Sequence, residues 1–179
     1  LQSQAFIVLA EACEGIDTAR QIMMLHLLAK ASGSLGMCGG QAIDLASVGL
    51  NLSLLELEKM HSLKTGSLLC ASVLLGAWSG KSLTFEENLA LREYGTAIGL
   101  AFQVIDDILD ATTDFTTLGK ISGKDALNKK PTYVSILGLP RSQDLAKKLC
   151  SNAHKALAIF ENKACRLHNL ADLIVQRKA

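Results

Sequence analysis

The segment FQVIDDILD, Phe102 to Asp110, carries three carboxylates within five positions of an otherwise almost wholly apolar run. On a helix, which turns ~100° per residue, Gln103, Asp106, Asp107 and Asp110 share one arc. Phe102, Val104, Ile105, Ile108 and Leu109 cover the rest of the circumference, which predicts burial on most sides. The polar stripe runs back through Gly99, Thr96 and Arg92, as a plain solvated face would also do. Two features oppose that reading. Like charges at i, i+1 and i+4 repel with no Lys or Arg one turn away, and acids near a helix C-terminus oppose its dipole. A positive charge from outside the segment is therefore expected. D-D-x-x-D spacing on a rigid helix suits a hard divalent ion, and Mg²⁺ prefers one or two carboxylates plus water and substrate phosphate. The expected ligand is phosphorylated.

Other segments offer matching chemistry. GGQAIDL places Gln41 and Asp44 at i, i+3 on an apolar helix, with Gly39 and Gly40 permitting close approach of a neighbouring backbone or ligand. Alone, that pair reads as a satisfied core pair sooner than as a site. HSLKTG carries Lys64 and Thr65 beside Gly66, LGKISGKD carries Lys120, and Lys129 and Lys130 precede Pro131; each lysine is a point charge suited to phosphate. His26, His61, His154 and His168 show no metal-ligand spacing and no identifiable Ser or Cys partner, which leaves them as ordinary helix residues.

What must position these groups is helical. The only prolines are Pro131 and Pro140, and strand-like alternation is scarce. Asp17 caps a helix running to about Ser32 and Gly33. Ser53 with Glu56, and Thr84 with Glu87, make S/T-x-x-E boxes, the second opening the longest helix, about Phe85 to Ala111. A polar loop to Pro131 follows, then a short helix from Tyr133 and two more over 142–164 and 167–178. The expected fold is one all-α domain over residues 1–179.

With 179 residues, 49% hydrophobic, and a formal net charge of +1, the chain can bury a sizeable core and lacks the basic blocks of a nucleic-acid surface. Five widely spaced cysteines without a CxxC pair fit reduced thiols in a cytoplasmic protein. The longest clean apolar run, Leu68 to Trp78, is too short to span a bilayer. The chain starts at Leu1 already in helical pattern, without a Met or an N-cap, as a chain lacking its beginning would.

GMCGGQAIDL, HSLKTG, GLAFQVIDDILD and LGKISGKDALNKKPTY, in this order, resemble the trans-prenyl diphosphate synthases, most nearly the bacterial farnesyl-forming members. The resemblance implies a bundle of long helices around a deep central cavity, and makes DDILD the second aspartate-rich motif. Asp106 is then a direct Mg²⁺ ligand, with Asp107 and Asp110 as ligands or holders of metal-bound water. Lys64, Lys120 and Lys130 clamp the allylic diphosphate, Thr65 and Gln103 face the carbocation near Lys64, and Gln41 and Asp44 line the same cavity. The implied reaction joins an allylic diphosphate (dimethylallyl or geranyl) head-to-tail to isopentenyl diphosphate, giving farnesyl diphosphate. Longer products, a non-catalytic subunit of a heteromeric synthase, and a generic helical interaction protein are the other readings. The family's first aspartate-rich motif and upstream basic segment do not occur in these residues. The chain thus reads as the C-terminal portion, expected to be inactive alone and to associate as a homodimer, in aggregates or with an upstream piece. Asp106 and Asp110 are expected to face a cavity into which Asp44 and Lys64 also point.

Overall fold

The computed structural model describes residues 1–11, 15–112 and 130–177. No strand occurs among them. The helices are α1 (Gln2–Ala10), α2 (Thr18–Ser32), α3 (Met37–Ala46), α4 (Leu54–His61), α5 (Ser67–Gly80), α6 (Phe85–Thr112), α7 (Tyr133–Leu137), α8 (Leu139–Ala156) and α9 (Cys165–Gln176). A π turn, Ser62–Gly66, joins α4 to α5 without a break, and a 3₁₀ stretch, Leu157–Ala164, joins α8 to α9. The chain is all-α, as its sequence implies.

The caps lie where local chemistry puts them. Asp17 accepts the Arg20 N–H at 2.9 Å. Ser53 and Glu56 form a reciprocal capping box. The Thr84 N–H donates to Glu87 at 2.9 Å, and Glu87 N–H donates back to the Thr84 hydroxyl at 3.1 Å. From that box α6 runs for 28 residues, with Glu86 and Glu87 in the first turn where the dipole favours acids. The C-terminal helices depart from expectation. Pro140 sits in the first turn of α8, where its missing N–H costs nothing, so that helix begins at Leu139 instead of at Ser142. It also ends earlier, because beyond Ala156 the backbone tightens and kinks at Glu161 (φ 49°, ψ −133°).

Helix α6 is the centre of the bundle, packed by α5, α8, α9, α7 and the π turn. Its first half enters a core of Leu74, Trp78, Leu91, Tyr94, Ile98, Ala153 and Leu157. Its acidic end enters a second core of Leu57, Met60, Val104, Ile105, Ile108, Tyr133 and Ala146. The buried hydroxyl of Tyr94 donates to the Leu167 carbonyl at 2.8 Å and ties α9 to α6.

By length and composition, the stretch Thr18–Ala46 is apolar enough to cross a membrane, which a judgement resting on Leu68–Trp78 overlooks. In the fold it is two helices, broken after Ser32 and resumed at Met37, with α2 against α5 and α3 against the π turn.

Candidate active site

The π turn positions the site's lysine. It inserts a wider turn into an otherwise continuous helix, a distortion common at functional sites. The Ser67 hydroxyl donates to the Ser62 carbonyl at 3.1 Å, satisfying one of the displaced groups. Glycines let α3 and α6 press on this turn from either side. A Cβ on Gly40 would lie 2.1 Å from the Lys64 nitrogen, and one on Gly99 would lie 2.7 Å from the Gly66 Cα. A glycine inside a helix costs about 1 kcal/mol relative to alanine; here the absent side chain admits a backbone.

Lys64 therefore reaches across to α3, where its Nζ lies 2.9 Å from an Asp44 carboxylate oxygen. Lys130 reaches the same oxygen at 3.3 Å. Asp44 is largely buried, its side chain 13% exposed. Burial alone would raise its pKa, but the hydrogen-bonded Lys64 and the Lys130 charge outweigh it, so the carboxyl titrates below its ordinary value. Gln41, one turn earlier, is exposed, so the two do not form a core pair. Thr65 is half-buried on the turn beside Lys64.

The acidic stripe lies on the same side of α6. Taking ~100° per residue, Gln103, Asp106 and Asp110 fall within roughly 40° of Gly99, which touches Gly66. Gln103 is buried on this face, and Asp106 is 62% exposed two turns beyond the crossing. Asp106 is paired with Arg177, whose Nη2 lies 3.0 Å from its Oδ1. The same guanidinium caps the Phe102 ring, 4.1 Å from its centroid. Asp107 turns inward, is buried, and accepts the Tyr133 N–H at 2.7 Å. Much of the charge relief expected from an external ion is thus supplied by the chain itself, through a guanidinium and an amide brought in from distant sequence. Asp110 is partly buried one turn beyond Asp106.

The Asp107–Tyr133 bond also unites the two halves of the site. It fixes the start of α7, and Lys130 lies three residues upstream of Tyr133 on the strap that reaches Asp44. Asp44, Lys64 and Lys130 are in direct contact, and the strap anchors them to the acidic helix. Lys120 and Lys129 lie outside the described residues. As a donor set, Asp106 and Asp110 offer hard oxygens one helical turn apart with Asp106 solvent-accessible, which fits Mg²⁺.

His61, one turn before Lys64, closes helix α4. It is buried and its ring centroid lies 5.3 Å from that of Tyr133. Its Nδ1 and the Tyr133 hydroxyl are both buried without a partner among the described residues. Burial, with the nearby Lys64 charge, lowers its pKa from 6.5 to about 4, so the ring is neutral at pH 7. Its only sequence signal is the i, i+3 spacing in HSLKTG. His154 likewise has a Cys neighbour after all, Cys150 at i−4, and the remaining partners sit on another helix.

Beyond Gly66 the same face of α6 borders a cleft of about 250 Å³, lined by Leu27, Ala31, Leu35, Cys70 and Ala71 with Arg92 and Thr96. A recess of mixed lining, with Lys30, Ser62 and Ser67 beside these residues, therefore adjoins the cluster of lysines and carboxylates.

The all-α scaffold is of the isoprenoid synthase type. The family model for polyprenyl synthetases matches residues 1–165, and the chain belongs to that family. It is 41% identical to the farnesyl diphosphate synthase of Escherichia coli (strain K12) over 181 residues, covering 99% of this chain and 60% of that one. It is also 41% identical to the chloroplastic geranylgeranyl pyrophosphate synthase of Catharanthus roseus over 175 residues, covering 97% and 49%. The crystal structure of a Helicobacter pylori geranyltransferase complexed with magnesium and isoprenyl diphosphate superposes with a TM-score of 0.78 at 28% identity, covering 97% of this chain and 56% of that one. The chain spans about half to three-fifths of the length of these relatives.

Proposed function

We propose that this chain forms the diphosphate-ionising part of a trans-prenyltransferase that extends an allylic diphosphate with isopentenyl diphosphate to farnesyl diphosphate. The observation that carries the reading is the pair of ammonium groups, Lys64 and Lys130, converging on one Asp44 oxygen beside the acidic end of α6. Two cations sharing one carboxylate are left with a net positive charge to offer an anion. Lys64 and Lys130, joined by Lys120, bind the diphosphate and take up its negative charge as the allylic C–O bond breaks with its electron pair on oxygen. Mg²⁺ held by Asp106 and Asp110, with Asp107 behind them, would supply further charge to the leaving group. Thr65 and Gln103 face the allylic cation, and Gln41 and Asp44 border the substrate. The double bond of isopentenyl diphosphate attacks that cation, a C–C bond forms and a proton is lost. The apolar wall of the cleft beyond Gly66, at Leu27, Ala31 and Ala71, contacts the hydrocarbon. A cytoplasmic homodimer belongs to the same reading.

A second product has its own support, since the farnesyl and geranylgeranyl relatives are equally identical to this chain. Chromatography of products from the complete enzyme separates the two.

Binding tests the site directly. Mg²⁺ with inorganic diphosphate should raise the melting temperature of the chain. At a hundredfold excess over Kd, linkage contributes about 2.7 kcal/mol, on the order of 5–10 °C at this size. Lys64→Gln should abolish the rise. No response in the parent chain would favour a helical scaffold.

A further inference from the structure

Helices α8 and α9 lie side by side, and each carries two donor side chains one turn apart on the shared seam: Cys150 and His154 on α8, His168 and Asp172 on α9. Asp172 Oδ1 lies 2.9 Å from His154 Nε2 and 3.7 Å from Cys150 Sγ. A ligand atom from each of the three residues falls within 4.8 Å of those from the others. This cluster uses none of the residues assigned to diphosphate or Mg²⁺.

The geometry points to a site for a divalent transition metal of the zinc class, held by Cys150 Sγ, His154 Nε2 and Asp172 Oδ1. Mixed thiolate, imidazole and carboxylate donors select such an ion over Mg²⁺ or Ca²⁺, which take oxygen alone. The thiolate and carboxylate together match a charge of two. The rim, which carries Lys147, Ser151 and Lys155, opens to solvent, and so leaves a fourth position for water.

His168 orients the ligating imidazole. Its ring lies within 9° of the His154 ring plane with centroids 4.9 Å apart, and the two meet edge to edge with their Nδ1 atoms 2.6 Å apart. In the metal-free chain His154 Nε2 donates to Asp172 Oδ1; the entering ion takes the place of that proton, which passes to solvent, while a proton on His154 Nδ1 is held by the His168 Nδ1 lone pair. Orientation of a ligating imidazole through its other nitrogen is a general feature of metal sites. With bonds of 2.0–2.2 Å a tetrahedral ion spaces nitrogen and oxygen ligands ~3.4 Å apart. The carboxylate must therefore retreat by about half an ångström, a side-chain adjustment for Asp172, which is 46% exposed. As the ion enters, the Cys150 S–H bond breaks, the sulfur keeps the electron pair to bond the metal, and the proton passes to solvent. The bound ion clamps α9 to α8, five residues before the Arg177 that pairs with Asp106.

Co²⁺ titration of the chelator-treated 179-residue chain, without added thiol, tests the site. The expected result is a saturable thiolate-to-cobalt charge-transfer band at one equivalent, displaced by Zn²⁺. Binding at Asp106 and Asp110 involves no sulfur and gives no such band, so this test stands or falls apart from the diphosphate site. Cys150→Ser should remove the band, while Cys165→Ser should keep it. Asp172→Asn, nearly isosteric at a half-exposed position, should weaken Co²⁺ binding at least tenfold even if the Cys150 variant fails to fold. His168→Gln should weaken it by ~10–100-fold. The assignment is overturned by absence of a saturable band, by a band that survives Cys150→Ser, or by an affinity unchanged in Asp172→Asn.

Discussion

His61 gives the site a pH signature. Its folded pKa is depressed to about 4 from 6.5, so below pH 6.5 the unfolded chain binds the proton more readily than the folded one. Stability should therefore fall as pH drops from 6.5 to 4, by up to about 3 kcal/mol for this one group. Melting curves across that window should flatten in His61→Gln, and an equal slope in both proteins would show that other groups carry the effect. Asp106 carries the complementary test of catalysis. Arg177 holds its carboxylate, but an arginine can be exchanged for a metal ion. In the complete enzyme Asp106→Ala should lower kcat by roughly 10² to 10³, by analogy with loss of one preorganised donor. Its folded stability should change little, because the side chain is mostly exposed. Turnover close to wild type at saturating Mg²⁺ would remove Asp106 from the mechanism.

The π turn and its two glycine contacts decide whether Lys64 reaches Asp44. Gly40→Ala places a methyl carbon against the Lys64 backbone, where no flexible side chain is available to yield. The turn or α3 must shift, with a destabilisation of about 1–3 kcal/mol. Because the displaced atoms belong to Lys64 itself, diphosphate affinity should fall along with the melting temperature. Gly76→Ala is the control, since a Cβ there meets nothing within 4 Å. Equal affinity in both variants would show that the close packing at Gly40 serves stability alone.

The described fold presents one acidic stripe and leaves Ile22, Met23, Leu35, Leu45 and Phe85 more than half exposed. Apolar surface of that extent calls for a covering partner, whether a second copy or further chain. One stripe with its lysines is also a thin counter-charge for a departing diphosphate. The 179 residues taken alone, supplied with geranyl diphosphate, isopentenyl diphosphate and Mg²⁺, should give no prenyl product. Robust turnover would show that these residues hold the leaving group's charge without further acidic side chains. Fold class, the three N-caps and the span of α6 were legible in the sequence because each follows from neighbours within one helical turn. So were the candidate charges: Asp44, Lys64, Lys130 and the DDILD triplet were all singled out by type and spacing.

What the sequence by itself determined, then, is which residues are helical and which are candidates for chemistry, since 3.6-residue periodicity and capping are local rules. Only the tertiary structure decided their pairing. Lys130 meets Asp44 across 86 positions, and Arg177 meets Asp106 across 71. The three acids of one motif accordingly have different surroundings: Asp106 under a guanidinium, Asp107 buried on a helix start, and Asp110 partly buried a turn beyond. His61 and the Cys150–His154–Asp172 cluster escape a linear reading for the same reason. Their burial and their partners are set by how α6 packs against the π turn and how α8 packs against α9. That packing depends on surfaces brought together by the whole chain.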